Sequence, residues 1–257
     1  KTEYASALRQ LGTLGGGNHF IEVQKDRENT IWIMIHSGSR NLGKQVADHY
    51  NRLAKKLNKQ WNSPVNPKVD LAYLPFKTDE AHQYYNEMNY CVDFALANRK
   101  LMLTRVQEVF RTFFPNIAFG EIINIAHNYA AWEKHFGKKV VVHRKGATSA
   151  RKGELGIIPG SQGTSSYIVE GLGNPESFAS CSHGAGRKMG RNEAIRSLSL
   201  EEEQRKLDRL GVLHAIRRKK DLDEAPSAYK NIVRVMADQE DLVKIKVELS
   251  PLAVVKG

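Results

Sequence analysis

The chain has 257 residues and a formal net charge of +11 at pH 7, with 41% hydrophobic and 26% charged residues. A chain of this length and composition can bury a sizeable core without disulfides or metals. The positive surplus favours a polyanionic partner such as a nucleic acid, although a solvated basic surface has the same composition. Two cysteines, Cys91 and Cys181, are too few for a disulfide scaffold and favour a reducing, cytoplasmic location. No apolar run is long enough to cross a membrane, so no membrane partner is expected.

The predicted elements mix helices and strands along the whole chain. In chain order they are a strand at 31–36, a helix at 43–62, one or two helices at 79–114, strand-like stretches at 122–127 and 139–143, a strand at 167–170, a charged helix at 192–210 with Ser199 as an N-cap, and a strand at 242–249. The sequence contains neither an internal repeat nor a convincing linker. It therefore predicts a mixed α+β fold in a single compact domain over residues 1–257.

Three histidines share a local setting. His19 follows a run of glycines, whereas His36 and His127 each close an apolar stretch. Imidazole is a common ligand of transition metals, and the ends of strands aim side chains into clefts. A lone histidine is more often structural, but three in similar settings indicate a metal site. His143 stands beside Arg144 and Lys145, a pattern that suits a phosphate contact as readily as a metal.

Two loops rich in glycine could approach an anion closely. The loop at 159–166 exposes backbone N–H groups, although a tight turn would have the same composition and the common phosphate-loop motif is missing. In the loop at 182–190, His183 lies among small residues that would leave its imidazole open for nucleophilic attack. Arg187, four positions later, could hold a phosphate. The alternative for this loop is a glycine turn around a buried histidine.

Six segments occur in the order in which they occur in the RtcB family of tRNA-splicing RNA ligases, which the chain resembles from about residue 8 to its last residue. They are residues 15–22, 36–40, 127–128, 143–148, 159–163 and 182–187. The resemblance implies β-sheets around a central metal and nucleotide cleft, flanked by helices. It also implies a GTP- and manganese-dependent ligase that joins RNA 3′-phosphate or 2′,3′-cyclic phosphate ends to 5′-hydroxyl ends, in tRNA splicing or RNA repair.

The family's reaction sets the expected cofactors and partners. A histidine is first guanylylated, GMP then passes to the RNA 3′-phosphate, and the 5′-hydroxyl displaces GMP; cyclic phosphates are hydrolysed beforehand. The resemblance thus implies GTP and two Mn²⁺ ions as cofactors. The implied partners are RNA ends, including tRNA halves, and the activating protein archease.

The resemblance also assigns roles to individual residues. His183 would be the nucleophile, His19 would bind one manganese, and His36 and His127 would bind the second. The residues implied around the nucleotide are Asn18, His19, Phe20, Ile21, Glu22, His127, Asn128, Pro159, Gly160, Ser161, Gln162, Ser166, His183, Gly184, Ala185, Gly186, Tyr229 and Lys256. The candidates for contacts with RNA phosphates are Arg40, Arg144, Lys145 and Arg187.

One part of the family pattern has no counterpart here. The family's metal centre also takes an aspartate and a bridging cysteine from a segment that nothing in this sequence matches, so we expect the chain to lack that N-terminal segment. Two other functions therefore stay open. One is a metal-dependent cyclic phosphodiesterase, and the other is a truncated relative that binds RNA or nucleotide without ligating. The presence of His183 and Lys256 speaks against a pure binding protein.

Overall fold

The computed structural model describes residues 2–257, with side chains from Ala5 onward. Contacts between Cα atoms divide it into two compact units. The first comprises residues 2–13 with Ser37–Arg105, and the second comprises Leu14–His36 with Val106–Gly257. The mixed α+β class is confirmed, while the single domain over 1–257 stays a prediction. In the part of the chain described, no helix is both long and apolar enough to cross a membrane.

The first unit is helical. It contains α1 (Thr2–Gln10), α2 (Arg40–Gln60) and α3 (Asp79–Phe113) as far as Arg105. Both predicted helices are confirmed, and the stretch at 79–114 is one continuous helix. Asn98 of α3 is fully buried, and both atoms of its side-chain amide have hydrogen-bond partners. Its Oδ1 accepts from Gly12 N at 2.6 Å, and its Nδ2 donates to Ser37 Oγ at 3.0 Å.

The second unit contains the strands. They are β1 (Phe20–Lys25), β2 (Ile31–His36), β3 (Asn128–His135), β4 (Lys138–Lys145), β5 (Ala147–Ser149), β6 (Leu155–Ile158), β7 (Ser166–Gly171), β8 (Ser180–Ser182) and β9 (Val243–Lys256). Five of them form an antiparallel sheet in the order β2-β1-β9-β7-β6, while β3 pairs with β4 and β5 with β8. The helices of this unit are α4 (Arg191–Ser197), α5 (Leu200–Arg209) and α6 (Ile232–Ala237).

The core of the second unit lies on both faces of this sheet. Ile158 and Val169 are buried with α6 residues in one apolar cluster, and Leu249 is buried with Ile168 in another. This placement follows from strand alternation, because neighbouring residues of β7 point to opposite faces. The sheet is therefore sandwiched, and its strand ends are held rigidly.

Two sequence predictions of secondary structure are wrong in detail. The apolar stretch at 122–127 forms no strand; Ala126 O instead accepts a hydrogen bond from Thr148 Oγ1 at 3.3 Å, and pairing begins only at Asn128. The charged helix at 192–210 is two helices, since Leu198 is extended and Ser199 begins α5. The predicted N-cap at Ser199 is confirmed, because its side chain accepts from Glu202 N.

Candidate active site

The pairing of β1 with its two neighbouring strands places several residues of the candidate site side by side. β1 lies between β2 and β9, so Phe20 pairs with His36 on one side and with Lys256 on the other. Two residues further along β1, Glu22 pairs with Val254. Residues two apart share a face of a strand, so the side chains of Phe20, Glu22, Val254 and Lys256 face the same way.

Four histidines form a continuous row in the second unit. The ring centres of His19 and His36 are 5.9 Å apart, and those of His36 and His127 are 4.9 Å apart. The imidazole of His127 in turn stacks on that of His183, with ring centres 4.9 Å apart and planes 16° apart. The structure therefore brings together the three predicted metal ligands and the predicted nucleophile.

Short strands and glycines hold His183 in this row. It follows β8 directly, and β8 pairs with β5 in a register that sets Ser182 opposite Ala147. Gly146, which precedes β5, has a φ of +71°, and a Cβ there would lie 3.6 Å from His183 Nδ1. The Nδ1 edge of the imidazole is thus turned toward Gly146, which leaves Nε2 as the nitrogen directed elsewhere.

The histidine row matches the donor chemistry of a transition-metal site. Two imidazoles that share an ion at a metal–nitrogen distance of roughly 2.1 Å have ring centres roughly 5 Å apart, and the rings of His36 and His127, the pair predicted to share an ion, are 4.9 Å apart. Among the described residues, however, no group of three or more His, Cys, Asp or Glu side chains is arranged to hold an ion. The structure thus supplies paired imidazoles, and metal binding by His19, His36 and His127 stays a prediction.

A small polar cleft adjoins the histidine row. It is partly open to solvent and is lined by Asn18, Phe20, Glu22, Gly160, Ser161, Gln162, Glu224, Tyr229, Val254 and Lys256. Phe20 joins the two parts, because its ring lies 5.5 Å from the His36 ring and 5.9 Å from Lys256 Nζ.

Glu22 is a buried carboxyl group in the cleft lining. Burial raises the pKa of Glu22 to about 8, although a hydrogen bond from Gln24 and the charge of Lys256 both oppose the shift. Gln24 Nε2 lies 2.6 Å from Glu22 Oε2. Burial also lowers the pKa of Lys256, against the opposite pull of nearby acidic side chains. A buried carboxyl of this kind gains from a ligand that brings hydrogen-bond donors.

The backbone of the loop at 159–166 is folded around Ser166. Its Oγ accepts from Gly160 N at 3.2 Å and from Gln24 Nε2 at 3.0 Å, so it lies beneath the cleft rather than in its lining. Gln162 Nε2 donates to Glu224 O at 2.9 Å, whereas Gln162 Oε1 is buried without a partner among the described residues. A buried acceptor with no partner in a cleft wall suits a donor on a ligand.

Sequence reasoning missed Glu224 and Arg191. Glu224 is buried, accepts a hydrogen bond from the Tyr229 hydroxyl, and pairs with Arg187 at 3.2 Å and with Arg191 at 3.3 Å. Arg191 also packs on Gly17, where an added Cβ would lie 2.8 Å from its guanidinium. Only the tertiary fold joins these segments.

The remaining predicted nucleotide residues lie beside the cleft rather than in its lining. The side chain of Ile21 points to the opposite face of β1 from Phe20 and Glu22, and Asn128 is exposed at the start of β3. Pro159 O accepts from Ala185 N at 3.0 Å, which ties the two glycine-rich loops together beside Gly184 and Gly186. Contacts of these residues with a nucleotide stay predictions.

The four phosphate candidates have different surroundings. Lys145 is exposed, and Arg40 lies in the first unit, where its Nε donates to Thr13 Oγ1 at 3.2 Å. Arg187 is partly buried, donates to Asp223 O at 2.6 Å, and lies over the Tyr229 ring at 5.1 Å. These contacts hold Arg187 beside Tyr229 in the wall of the cleft.

The prediction for Arg144 needs correction, because this guanidinium is 2% exposed. It donates to both carboxylate oxygens of Glu133, at 2.5 and 3.0 Å, and to Ser180 Oγ and Phe178 O, each at 3.0 Å. Burial raises the pKa of Glu133, but hydrogen bonds from Arg144 and His135 and nearby positive charge outweigh it and lower that pKa to about 2. Arg144 is thus a structural residue that anchors the β3-β4 hairpin, with no surface left for an RNA phosphate.

Arg144→Ala should therefore act on stability. It leaves the Glu133 carboxylate buried without its main partner, so the free energy of unfolding should fall by roughly 3 to 5 kcal/mol at pH 7. Urea unfolding followed by circular dichroism measures this change. The exposed neighbour provides the control, because Lys145→Ala should change stability by less than about 0.5 kcal/mol. Similar small effects of both substitutions would contradict the buried role of Arg144.

The fold and the site together define a mixed α+β protein with a row of histidines beside a small polar cleft. The family model for tRNA-splicing ligase RtcB matches residues 1–257, and the chain belongs to this family. It is 43% identical to the RNA-splicing ligase RtcB of Escherichia coli over 257 aligned positions, which cover 97% of this chain and 62% of that protein. It is 36% identical to the tRNA-splicing ligase RtcB of Thermococcus kodakarensis, over 96% of this chain and 60% of that protein. The chain thus spans about 60% of the length of these relatives.

Proposed function

We propose that this protein takes part in joining RNA 3′-phosphate ends to 5′-hydroxyl ends, with GTP as the source of energy and His183 as the nucleophile. The observation that carries the proposal is the stacking of His183 on His127 within the histidine row, next to a cleft lined by eight of the predicted nucleotide residues. Membership of the RtcB family supports RNA ligation as the reaction.

The first step is attack on GTP. A ring nitrogen of neutral His183 uses its lone pair to form a P–N bond to the α-phosphorus, and the bond from that phosphorus to the pyrophosphate oxygen breaks. The neighbourhood of Gly146 favours Nε2 as the attacking atom. No base is needed to remove a proton from the attacking nitrogen. His127, stacked on the ring, limits its rotation and so keeps Nε2 in line.

Two further displacements complete the reaction. An oxygen of the RNA 3′-phosphate attacks the α-phosphorus, which breaks the P–N bond, restores His183 and leaves GMP joined to the RNA end. The 5′-hydroxyl of the second RNA then attacks the RNA 3′-phosphorus and releases its proton to solvent, and GMP leaves with the bonding electrons. A 2′,3′-cyclic phosphate has to be opened by water before these steps can begin.

The other residues of the site bind and neutralise charge. We expect Glu22 to accept hydrogen bonds from guanine, Lys256 to offset phosphate charge, and Gln162 Oε1 to accept from a donor on the nucleotide. His19, His36 and His127 would hold manganese, which supplies charge neutralisation and orientation of phosphate oxygens when bound. Tyr229 and Glu224 brace the opposite wall through their hydrogen bond.

The test is ligation of two short RNAs, one ending in a 3′-phosphate and the other starting with a 5′-hydroxyl, by the protein completed with the segment that carries the family's aspartate and bridging cysteine. Product should form with GTP and Mn²⁺, and it should be lost when GTP is replaced by ATP or when a chelator removes the metal. The same assay checks the alternative. Opening of a 2′,3′-cyclic phosphate without any joining, unaffected by GTP, would instead support a phosphodiesterase and contradict the ligase proposal.

A further inference from the structure

The β3-β4 hairpin has two chemically different faces. Directly opposed residues of an antiparallel pair share a face, and the faces alternate along each strand. Tyr129 is opposite Arg144, and Glu133 is opposite Val140, on what we call the inner face. The outer face carries the pairs Asn128–Lys145, Ala130–His143, Trp132–Val141 and Lys134–Lys139.

The inner face is packed and neutralised. Arg144 is buried against Glu133, Ser180 and Phe178, as described above. Glu133 is the single acidic residue in the sequence from 128 to 145, and its carboxylate is 6% exposed. The hairpin's single carboxylate is therefore neutralised by its contacts on the inner face.

The outer face is basic and, apart from the buried Ala130, largely exposed. Trp132 is 42% exposed, and Lys139 Nζ lies 5.0 Å from the centre of its ring system. Lys134 and Lys139 are exposed and directly opposite each other, a like-charge pairing that destabilises a hairpin unless an anion lies between the two charges. Lys145 adds a third cation, and the outer face carries no carboxylate. This combination favours an anionic ligand with flat rings.

The outer face begins next to the histidine row. Its first residue, Asn128, follows His127 in the chain, and Trp132 lies four residues further along β3. At the rise of an antiparallel strand this separation is roughly 13 Å. This distance is short enough for a few nucleotides of a single strand to span. The face is therefore placed to hold a strand whose end lies at His183.

We propose that the outer face of the β3-β4 hairpin binds single-stranded RNA, with a base stacked on Trp132 and phosphates held by Lys134, Lys139 and Lys145. Aromatic rings interleaved with cations are the usual platform for single strands, because every base offers a flat face whatever its sequence. A protein partner would need acidic groups and a larger apolar surface than one indole offers. Binding of single-stranded RNA to this face does not depend on the proposed function. Only the identity of that RNA, as a substrate of ligation, rests on it.

The experiment measures binding of a fluorescently labelled single-stranded RNA with a 3′-phosphate, by anisotropy, without GTP or manganese. Trp132→Ala should weaken binding at least about fivefold, since base stacking on an aromatic ring contributes that much or more. Trp132→Phe should recover most of the loss. Lys134→Gln with Lys139→Gln should make the slope of log affinity against log salt shallower by about 1.4.

Two controls match these variants. Trp61→Ala removes an indole that is 43% exposed on the first unit, and Lys56→Gln with Lys59→Gln removes two exposed charges of α2. Unchanged RNA affinity in the hairpin variants, or equal losses in the controls, would overturn the inference. The hairpin variants could bind RNA more weakly while the unchanged protein fails to ligate. That result would count against the proposed function alone. Normal ligation together with unchanged RNA binding by the hairpin variants would refute the inference but leave the proposed function supported.

Discussion

His183→Ala should abolish the covalent GMP adduct that forms when the protein, completed with the segment that carries the family's aspartate and bridging cysteine, is incubated with GTP and manganese. Loss of a covalent nucleophile costs on the order of a million-fold in other enzymes, so no adduct should be detectable. The adduct on the unchanged protein should survive alkali and break in acid, because a P–N bond has those properties. Radiolabelled GTP, gel electrophoresis and peptide mapping measure the adduct and its position.

Lys256 is the natural rival for the attachment point, because lysine carries the nucleotide in many other ligases. Its position in the cleft argues for a different role. Its ammonium lies in the cleft lining, 5.9 Å from the centre of the Phe20 ring, where it can offset phosphate charge. Burial lowers the pKa of Lys256, and nearby acidic side chains oppose that shift. Lys256→Ala should therefore weaken GTP use while the adduct still maps to His183. An adduct that persists in His183→Ala and maps to Lys256 would refute the proposed mechanism.

Glu22→Gln should abolish the preference of the protein for GTP over ATP. Guanine presents an amino donor where a carboxylate can accept, whereas the amide of glutamine places a donor against it. Loss of one hydrogen bond to a charged group corresponds to roughly 10- to 150-fold weaker GTP binding. ATP binding should change much less. Isothermal titration of both nucleotides measures the two affinities.

The raised pKa of Glu22 adds a pH dependence to this prediction. Below about pH 8 the free protein holds Glu22 protonated, so binding of guanine to the carboxylate has to release a proton. GTP affinity should then rise with pH, by up to tenfold per unit, and level off above pH 8. Titrations in two buffers of different ionisation enthalpy detect the released proton. Proton release that is unchanged in Glu22→Gln would contradict this assignment.

The same pKa predicts an effect on stability without any ligand. A carboxyl whose pKa is higher in the folded than in the unfolded state binds more protons when folded, so folding is favoured at low pH and loses stability as pH rises from about 4.5 to 8. Glu22→Gln should remove this contribution and raise the melting temperature at pH 8.5 more than at pH 5. Glu170→Gln, on β7 of the same sheet and only partly buried, is the control and should show no such difference.

Sequence alone determined several of the helices and strands and the chemical types of most site residues. Apolar periodicity indicated α2, α3 and β2, because burial of one face imposes that spacing whatever the tertiary fold. The ordered motifs indicated the RtcB family, which the family match confirms. Glycines around His183 signalled an accessible imidazole, and the fold does place small residues there.

Only the tertiary structure decided which residues meet and which are buried. The pairing of Phe20 with Lys256 depends on the register of two strands more than 200 residues apart in the chain, and no local pattern encodes that register. Arg144 and Lys145 are adjacent in sequence, yet strand alternation buries the first against Glu133 and exposes the second. Glu224 could be recognised only when the fold placed it between Arg187, Arg191 and Tyr229, because a buried charge is defined by the partners that neutralise it.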